Sequence, residues 1–220
     1  MLYPIGAMAN GEEYYRDNYG DYDRQNSARK LDFYMSLVRV SVPKGARLHE
    51  LGVGLGNFLA RASAEYDCSG TDVNPYGLAE ARRRAPKTLL SEGSFEQIPI
   101  SPPPDIVVAW DVLEHVAQLP SALDCIRQRL ASPGFLIAVV PVYDGPLGWL
   151  VHRLDHDPTH LWKWSRHAWG AALRRHGFQV IDSGGILRRL LMKRWYLHAT
   201  WPAPIWRRVG NAVWFVARKA

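Results

Sequence analysis

The sequence predicts a doubly wound α/β domain, with a mostly parallel sheet covered by helices on both faces. Short strands that are apolar throughout alternate with amphipathic helices from Ala46 onward, a pattern typical of parallel strands buried on both sides. A glycine-rich turn and several polar residues directly follow predicted strands, where sheets of this kind bind their ligands. The chain has 220 residues, 47% of them hydrophobic, which is enough to bury the core of one such domain.

An amphipathic helix precedes the first strand. It starts at Asn26, and apolar residues from Leu31 to Val38 recur at the spacing of one helical face until Pro43-Lys44-Gly45 ends the helix. Seven strands follow, at residues 46–51, 68–73, 88–90, 104–110, 135–140, 178–181 and 212–217. The predicted helices between them cover residues 56–66, 76–84, 120–131 and 163–176.

The first strand runs into a glycine-rich turn, Glu50-Leu-Gly52-Val-Gly54-Leu-Gly56. Gly52 and Gly54 let the backbone turn tightly and approach a ligand, because no Cβ stands in the way. The helix that follows presents unpaired amides and the positive end of its dipole. Asp72 ends the second strand, where a carboxylate can accept hydrogen bonds from ribose hydroxyls. The pattern predicts a nucleoside-containing ligand.

The glycine spacing argues against a dinucleotide. The dinucleotide fingerprint places its third glycine five positions after the first, and Asn57 stands there. Glu50, two residues before the first glycine, opposes a pyrophosphate but suits a ligand with a cationic ammonium and sulfonium. An NAD-dependent oxidoreductase and a cofactor-binding module without catalysis remain as alternative functions.

These motifs together resemble class I S-adenosylmethionine-dependent methyltransferases, near the type 11 and type 12 families. The resemblance covers roughly residues 12–185 and rests, in this order, on LHELGVGLGNFLARA, GTDVNP, EGSFEQIPI, PDIVVAWDVLEHV and LRRHGFQV. It implies a Rossmann-like sheet whose last strand is antiparallel, and S-adenosylmethionine as the cofactor. It also implies methyl transfer to an oxygen, nitrogen or carbon nucleophile of a small molecule or of a lipid-linked or glycan-linked acceptor.

The resemblance implies a cofactor-binding role for ten residues. The glycine turn would hold the methionine end, the second strand would end at the ribose and adenine, and the fourth strand would line the methionine moiety. The adenine edge would meet Ser94 and Phe95, although this family usually has Asp where Ser94 stands. The ten residues are Glu50, Gly52, Gly54, Gly56, Asp72, Val73, Ser94, Phe95, Trp110 and Asp111.

Two histidines are candidate catalytic residues. His115 follows the fourth strand, and His160 lies in the polar loop after the fifth. A histidine that titrates near neutrality can take a proton from a hydroxyl or an amine, and His160 is the preferred base. Asp111, Glu114 and His115 form an alternative set of metal ligands, because a similar ExxEH segment is associated with a divalent metal in ubiquinone-pathway O-methyltransferases. LEHV also occurs in related methyltransferases with no metal role, so no metal is predicted.

The chain is predicted to form a single domain with three parts. Residues 1–42 would form an N-terminal lid and helix, residues 43–185 the cofactor-binding core, and residues 186–220 a basic aromatic segment that contains the last strand. The lid would contain Arg29 and a group of tyrosines that could equally pack in the core. These tyrosines are Tyr14, Tyr15, Tyr19 and Tyr22.

The net charge of +6 is concentrated in the C-terminal segment. Residues 186–220 contain eight basic residues, several tryptophans and no acid, whereas the rest of the chain is slightly acidic. This distribution disfavours nucleic acid as a partner and makes the segment a candidate for contact with the inner face of a membrane. Two cysteines without a CxxC motif, and no leader or long apolar run, predict a cytoplasmic protein.

Overall fold

The computed structural model of the chain describes residues 22–97, 101–146, 148–155, 157–191, 195–200 and 210–220. In these residues eight strands form one sheet in the order β3-β2-β1-β4-β5-β8-β6-β7. The strands are β1 (Arg47–Leu51), β2 (Asp67–Asp72), β3 (Leu89–Glu92), β4 (Ile106–Trp110), β5 (Phe135–Pro141), β6 (Phe178–Leu191), β7 (Trp195–Ala199) and β8 (Ala212–Lys219). The first five strands pair in parallel, while β8 is antiparallel to both β5 and β6. The predicted doubly wound sheet with an antiparallel last strand is confirmed.

Seven helices connect or flank the strands in the described part of the chain. They are α1 (Tyr22–Gln25), α2 (Ala28–Ser41), α3 (Asn57–Ala62), α4 (Pro75–Arg84), α5 (Leu119–Arg129), α6 (Gly148–Leu154) and α7 (Arg166–Arg175). Side-chain oxygens of Ser27, Asn74 and Ser165 accept hydrogen bonds from backbone N–H groups and so determine where α2, α4 and α7 begin. None of the helices described is long and apolar enough to cross a bilayer.

The apolar strands are buried on both faces. In β4, Ile106 and Val108 pack into the core formed with α2, α3 and α4, whereas Val107 and Ala109 pack into the core formed with α5 and α7. Because successive side chains of a strand point to opposite faces, both sets of positions must be apolar. This is the physical reason for the continuous apolar runs in the sequence.

The sheet has one more strand than the sequence predicts, because β6 is longer than residues 178–181 and continues into a hairpin with β7. Its middle, Asp182-Ser-Gly-Gly185, resembles a turn in sequence, but it pairs with β8 after a register shift. A Cβ on Gly184 would lie 2.7 Å from Nε1 of Trp214. That glycine therefore makes room for an indole on the neighbouring strand.

Several residues of the C-terminal segment are engaged within the domain. Trp214 packs against the core on the α2 side, Arg188 pairs with Asp111, and Nζ of Lys219 donates to the Leu130 carbonyl at 2.7 Å. Trp201 and Trp206 lie outside the described residues, as do the predicted lid residues Tyr14, Tyr15 and Tyr19. Membrane contact stays a prediction. The division at residues 42 and 185 also stays a prediction, and β6 runs across its second boundary.

Substituting Gly56 should destabilise the fold more than substituting Gly45. Both glycines have positive φ, +82° and +81°, so alanine at either position carries the left-handed penalty of about 1–2 kcal/mol. A Cβ on Gly56 would also lie 2.7 Å from Cα of Ala81 in α4, whereas a Cβ on Gly45 would have nothing within 4 Å. In urea unfolding, Gly56→Ala should lose about 1–3 kcal/mol more than Gly45→Ala. Equal losses would contradict the close packing of α4 on the glycine turn.

Candidate active site

The carboxyl ends of four parallel strands meet at one edge of the sheet. Glu50 is the second-to-last residue of β1, and Asp72 and Trp110 are the last residues of β2 and β4. Tyr143 lies two residues after the end of β5. The strand order reverses between β1 and β4, which are neighbours, and this is where open α/β sheets form a ligand crevice. Most of the predicted cofactor residues therefore lie at the edge that the fold makes available for binding.

The glycine turn is held from both sides. Gly52, Gly54 and Gly56 all have positive φ, and a Cβ on Gly52 would lie 2.3 Å from Cγ2 of Val112. Asp72 accepts hydrogen bonds from the backbone N–H groups of Gly54 at 2.7 Å and Asn74 at 2.9 Å. Since each carboxylate oxygen offers two lone-pair sites, Asp72 can hold the turn and still accept ribose hydroxyls.

Two buried polar atoms at adjoining strand ends have no hydrogen-bond partner among the described residues. They are Oε2 of Glu50 and Nε1 of Trp110. Glu50 is 3% exposed, and burial together with the nearby Asp72 carboxylate raises its pKa well above the usual value. Unpaired buried polar groups are uncommon in folded proteins, so these atoms fit a site that a polar ligand completes.

The aromatic wall of the crevice is built around Trp110. Its ring stacks on that of Tyr34, with the ring centroids 4.1 Å apart and the planes 7° apart. It also makes an edge-to-face contact with the Phe58 ring, at a centroid distance of 5.0 Å. Val73 and Phe95, which were predicted to lie near the adenine, differ in solvent exposure. Val73 is exposed, whereas Phe95 is buried against the His49 ring and under the Arg129 guanidinium.

Asp111 forms a bidentate ion pair with Arg188. Each of its oxygens accepts a hydrogen bond from one guanidinium nitrogen at 2.5 Å, and its φ is +59°, a conformation that is uncommon for residues with a Cβ. Burial alone would raise the pKa of Asp111, but the positive charges of Arg188 and Lys30 outweigh it and lower that pKa. Because the guanidinium of Arg188 binds both oxygens, its positive charge disfavours a metal cation at Asp111.

Lys30 and His198 lie close to this ion pair. Lys30 is 6% exposed, and burial lowers its pKa to about 8, although Asp111 opposes the shift. Burial and the positive charges of Lys30 and Arg188 lower the pKa of His198 to about 4, so this imidazole is neutral. The sequence did not indicate Lys30, Arg188 or His198 as residues of the site. A pair of arginines inside the apolar run 186–191 was the one signal that could have indicated a buried partner.

His160 is oriented by a carboxylate. Its Nδ1 lies 2.8 Å from Oδ2 of Asp155, which also accepts a hydrogen bond from the Tyr143 hydroxyl. Burial disfavours ionisation of Asp155, but these two hydrogen bonds outweigh it and lower its pKa to about 2. Because an ionised carboxylate only accepts hydrogen bonds, His160 carries its proton on Nδ1 and keeps a lone pair on Nε2.

His115 lies beside His160, with the ring centroids 4.8 Å apart. Its Nδ1 lies 3.1 Å from the carbonyl oxygen of Thr159 and 2.9 Å from the Thr159 hydroxyl, which itself donates to Asp157. Nδ1 of His115 is therefore the protonated nitrogen, and Nε2 keeps a lone pair. Burial and the neighbouring His160 lower the pKa of His115. The fold thus brings together the two histidines that were predicted to be catalytic.

A family model described as a methyltransferase domain matches residues 22–183, which include the glycine turn, Asp72 and both histidines. The chain belongs to this methyltransferase family. S-adenosylmethionine is the cofactor expected of this family, and the crevice contains a glycine turn, a carboxylate at the end of β2 and a buried acid at the end of β1. The resemblance found in the sequence is confirmed.

The methyltransferase matches parts of longer curated proteins. The trans-aconitate 2-methyltransferase of Methylobacterium nodulans is 34% identical over 126 residues, which cover 56% of this chain and 49% of that protein. The polyketide synthase ThaG of Burkholderia thailandensis is 30% identical over 210 residues, which cover 81% of this chain and 4% of the synthase. The chain thus spans half or less of each of these relatives.

The fold of the methyltransferase is also found in solved structures. An S-adenosylmethionine-dependent methyltransferase from Thermotoga maritima superimposes with a TM-score of 0.68, and the match covers 100% of both chains. The sequence identity is 16%, so this likeness concerns the fold.

Replacing Asp72 should weaken the binding of S-adenosylmethionine. Asp72→Ala removes a charge-assisted acceptor from the ribose hydroxyls and frees the N–H of Gly54, so the dissociation constant should rise about tenfold or more. Calorimetric titration measures this change. Asp105→Ala is the matched control, because Asp105 also binds a backbone N–H, that of Arg47 at 2.9 Å, but precedes β4 at the opposite edge of the sheet. An unchanged constant in folded Asp72→Ala would contradict the assignment.

Proposed function

We propose that the enzyme transfers the methyl group of S-adenosylmethionine to a small-molecule acceptor that carries a carboxylate. The observation that carries this proposal is the charge at the strand edge. Lys30 and Arg188 place two positive charges near the carboxylate of Asp111, and both lower the pKa of Asp111. Burial raises the pKa of Glu50 and that of Glu114 well above the usual value, which disfavours further negative charge there. The described residues around the end of β4 therefore favour an anionic group.

The cofactor residues act by positioning. Bound S-adenosylmethionine supplies a methyl group on a sulfonium that is already reactive. Asp72 fixes the ribose, and Glu50 offers an unpaired carboxyl oxygen to the cationic end. The stacked rings of Trp110 and Tyr34 keep water from that side of the crevice. Correct orientation of two reactants is worth up to about 7–11 kcal/mol of the barrier, so the reaction needs little further assistance.

A carboxylate acceptor fits this arrangement because its nucleophile is already ionised at neutral pH. No base has to remove a proton before its oxygen attacks. The relative from Methylobacterium nodulans is a trans-aconitate 2-methyltransferase, which supports a small organic acid as the acceptor class. Since the match covers 49% of that relative, the identity of the acid is left to experiment.

A hydroxyl or amine acceptor is the second candidate, and the Asp155–His160 pair favours it. The carboxylate holds the His160 tautomer that leaves Nε2 as a proton acceptor, which is how a general base is oriented. In that case His160→Ala should lower turnover by about 10²–10⁴-fold and leave cofactor affinity unchanged. A carboxylate acceptor predicts no base-dependent step.

The activity with carboxylates should depend on the charge of Lys30. Because burial lowers the pKa of Lys30 to about 8, the amine loses its positive charge as the pH rises through 8, and kcat/KM for the acid should fall there. Lys30→Arg should remove this decline, because arginine stays charged, and Lys30→Met should lower kcat/KM about tenfold or more at neutral pH. Trans-aconitate and related di- and tricarboxylates are the probes.

Lys44→Met is the matched control, because Lys44 is exposed and pairs with Glu65 away from the crevice. Its kcat/KM should equal that of the wild-type enzyme. Methylation of hydroxyl or amine acceptors but of no carboxylate would refute the proposed acceptor class. The family assignment would be unaffected.

A further inference from the structure

We propose that Glu114, His115 and His160 bind a divalent transition-metal ion at the edge of the sheet. One ligand atom from each residue, two imidazole nitrogens and one carboxylate oxygen, lies within 4.8 Å of the other two. No metal is predicted from the sequence, and the alternative ligand set in the sequence is Asp111, Glu114 and His115. In the structure Asp111 pairs with Arg188, and it is His160, from the loop after β5, that lies beside Glu114 and His115.

Each imidazole places a nitrogen near the other and near a carboxyl oxygen of Glu114, since these ligand atoms lie within 4.8 Å of one another. The Nδ1 atoms of His115 and His160 are protonated because each faces an acceptor, so the Nε2 atoms are the basic ones. The described residues make no hydrogen bond to either Nε2 atom. The nearest carboxylate oxygens are at 3.9 Å for His115, from Glu114, and at 3.8 Å for His160, from Asp157. Two imidazoles and a carboxyl group that lie this close together, with no hydrogen bond from a described residue to either Nε2 atom, suit a bound cation.

Glu114 provides the second, independent observation. Its side chain is 1% exposed, and neither of its carboxyl oxygens has a hydrogen-bond partner among the described residues. A buried carboxyl group without partners is unfavourable, and neither His115 nor His160 donates a hydrogen bond to it. A metal ion bound by an oxygen of Glu114 and by both Nε2 atoms satisfies all three residues at once.

The surroundings hold the ligands as metal sites usually require. Each ligating histidine donates its other N–H to an oxygen, from Thr159 or from Asp155, and such contacts fix the ring orientation. The two segments are also joined directly, since the N–H of Leu161 donates to the Glu114 carbonyl at 2.9 Å. A bound ion therefore needs small side-chain rotations to bring the ligand atoms closer, without backbone rearrangement.

The donor set indicates the class of metal. Imidazole nitrogens favour zinc, iron, cobalt and nickel over magnesium and calcium, which prefer oxygen ligands. Three protein ligands also leave coordination positions open for water or for an oxygen of the acceptor. The metal and the base role use the same lone pair of His160, so an ion bound there excludes His160 as the general base.

Metal binding can be measured without cofactor or acceptor. The full chain, without a polyhistidine tag and stripped with a chelator, is titrated with Zn²⁺ by calorimetry, with Co²⁺ by visible absorption and with Mg²⁺ as the oxygen-preferring comparison. We expect one Zn²⁺ or Co²⁺ per chain and no saturable binding of Mg²⁺. The result is independent of the proposed acceptor, because neither substrate is present.

Variants test which residues bind the ion. His160→Gln and Glu114→Gln should each weaken Zn²⁺ binding at least about tenfold. The matched control is His176→Gln, because Nδ1 of His176 lies 2.8 Å from Asp124, the same distance as in the His160–Asp155 pair. This variant should bind Zn²⁺ like the wild-type protein.

Two results would overturn the site: no binding of Zn²⁺ or Co²⁺ by the wild-type chain, or equal binding by all three variants. The wild-type chain with ¹⁵N-labelled histidine gives a test that does not depend on the folding of a variant. On addition of Zn²⁺, the Nε2 signals of two histidines should shift. Shifts at histidines other than His115 and His160 would also refute the site.

Discussion

The ion pair between Asp111 and Arg188 is the interaction on which the binding edge of the sheet depends. Asp111 follows β4 with a φ of +59°, which is costly for a residue with a Cβ and persists only where the surroundings hold it. The Arg188 guanidinium stabilises this conformation by donating to both carboxylate oxygens of Asp111. The backbone of Arg188 is held in turn by Asn211, whose side chain accepts from the Arg188 N–H and donates to the Arg188 carbonyl. Removing either partner would leave a largely buried charge without its counter-charge, which destabilises the turn after β4.

The turn fixed by this pair positions the residues on either side of it. Val112 comes directly after Asp111 and packs where a Cβ on Gly52 would be, so the glycine turn and the turn after β4 fit against each other. Glu114 and His115 come next, and they face the loop that carries His160. The Asp111–Arg188 ion pair therefore positions residues on both the cofactor side and the acceptor side of the crevice. A substitution of Arg188 should disturb the geometry of both sides.

The sequence predicted the parts of this site that short local patterns encode. The glycine turn and Asp72 each follow an apolar strand, and the carboxyl ends of parallel strands lie at one edge, so their meeting could be inferred without a structure. His115 and His160 could be chosen as reactive residues for the same reason. Their contact could not be inferred, because it depends on how the loop after β5 folds back toward the turn after β4.

Lys30 and Arg188 were not predicted because their roles depend on distant pairing. Arg188 belongs to the basic C-terminal segment, where it is one of eight basic residues. Such a segment predicts an exposed side chain rather than a buried ion pair. In the structure Arg188 lies near the C-terminal end of β6 and is 14% exposed, because the long strand carries it to the end of β4. Lys30 lies on the predicted face of α2, but a lysine in an amphipathic helix gives no indication that it is buried.

The acids at the glycine turn explain why this crevice suits a cationic cofactor. Burial raises the pKa of Asp72, and hydrogen bonds from the backbone N–H groups of Gly54 and Asn74 oppose that shift. Burial and the nearby Asp72 raise the pKa of Glu50 well above the usual value, which disfavours a second buried negative charge in the free protein. When a positive group lies beside Glu50, the ionised form becomes favourable, and the attraction acts in a medium of low dielectric constant. A pyrophosphate would not be stabilised by this arrangement. It would be repelled by the Asp72 carboxylate, and its negative charge would disfavour ionisation of Glu50.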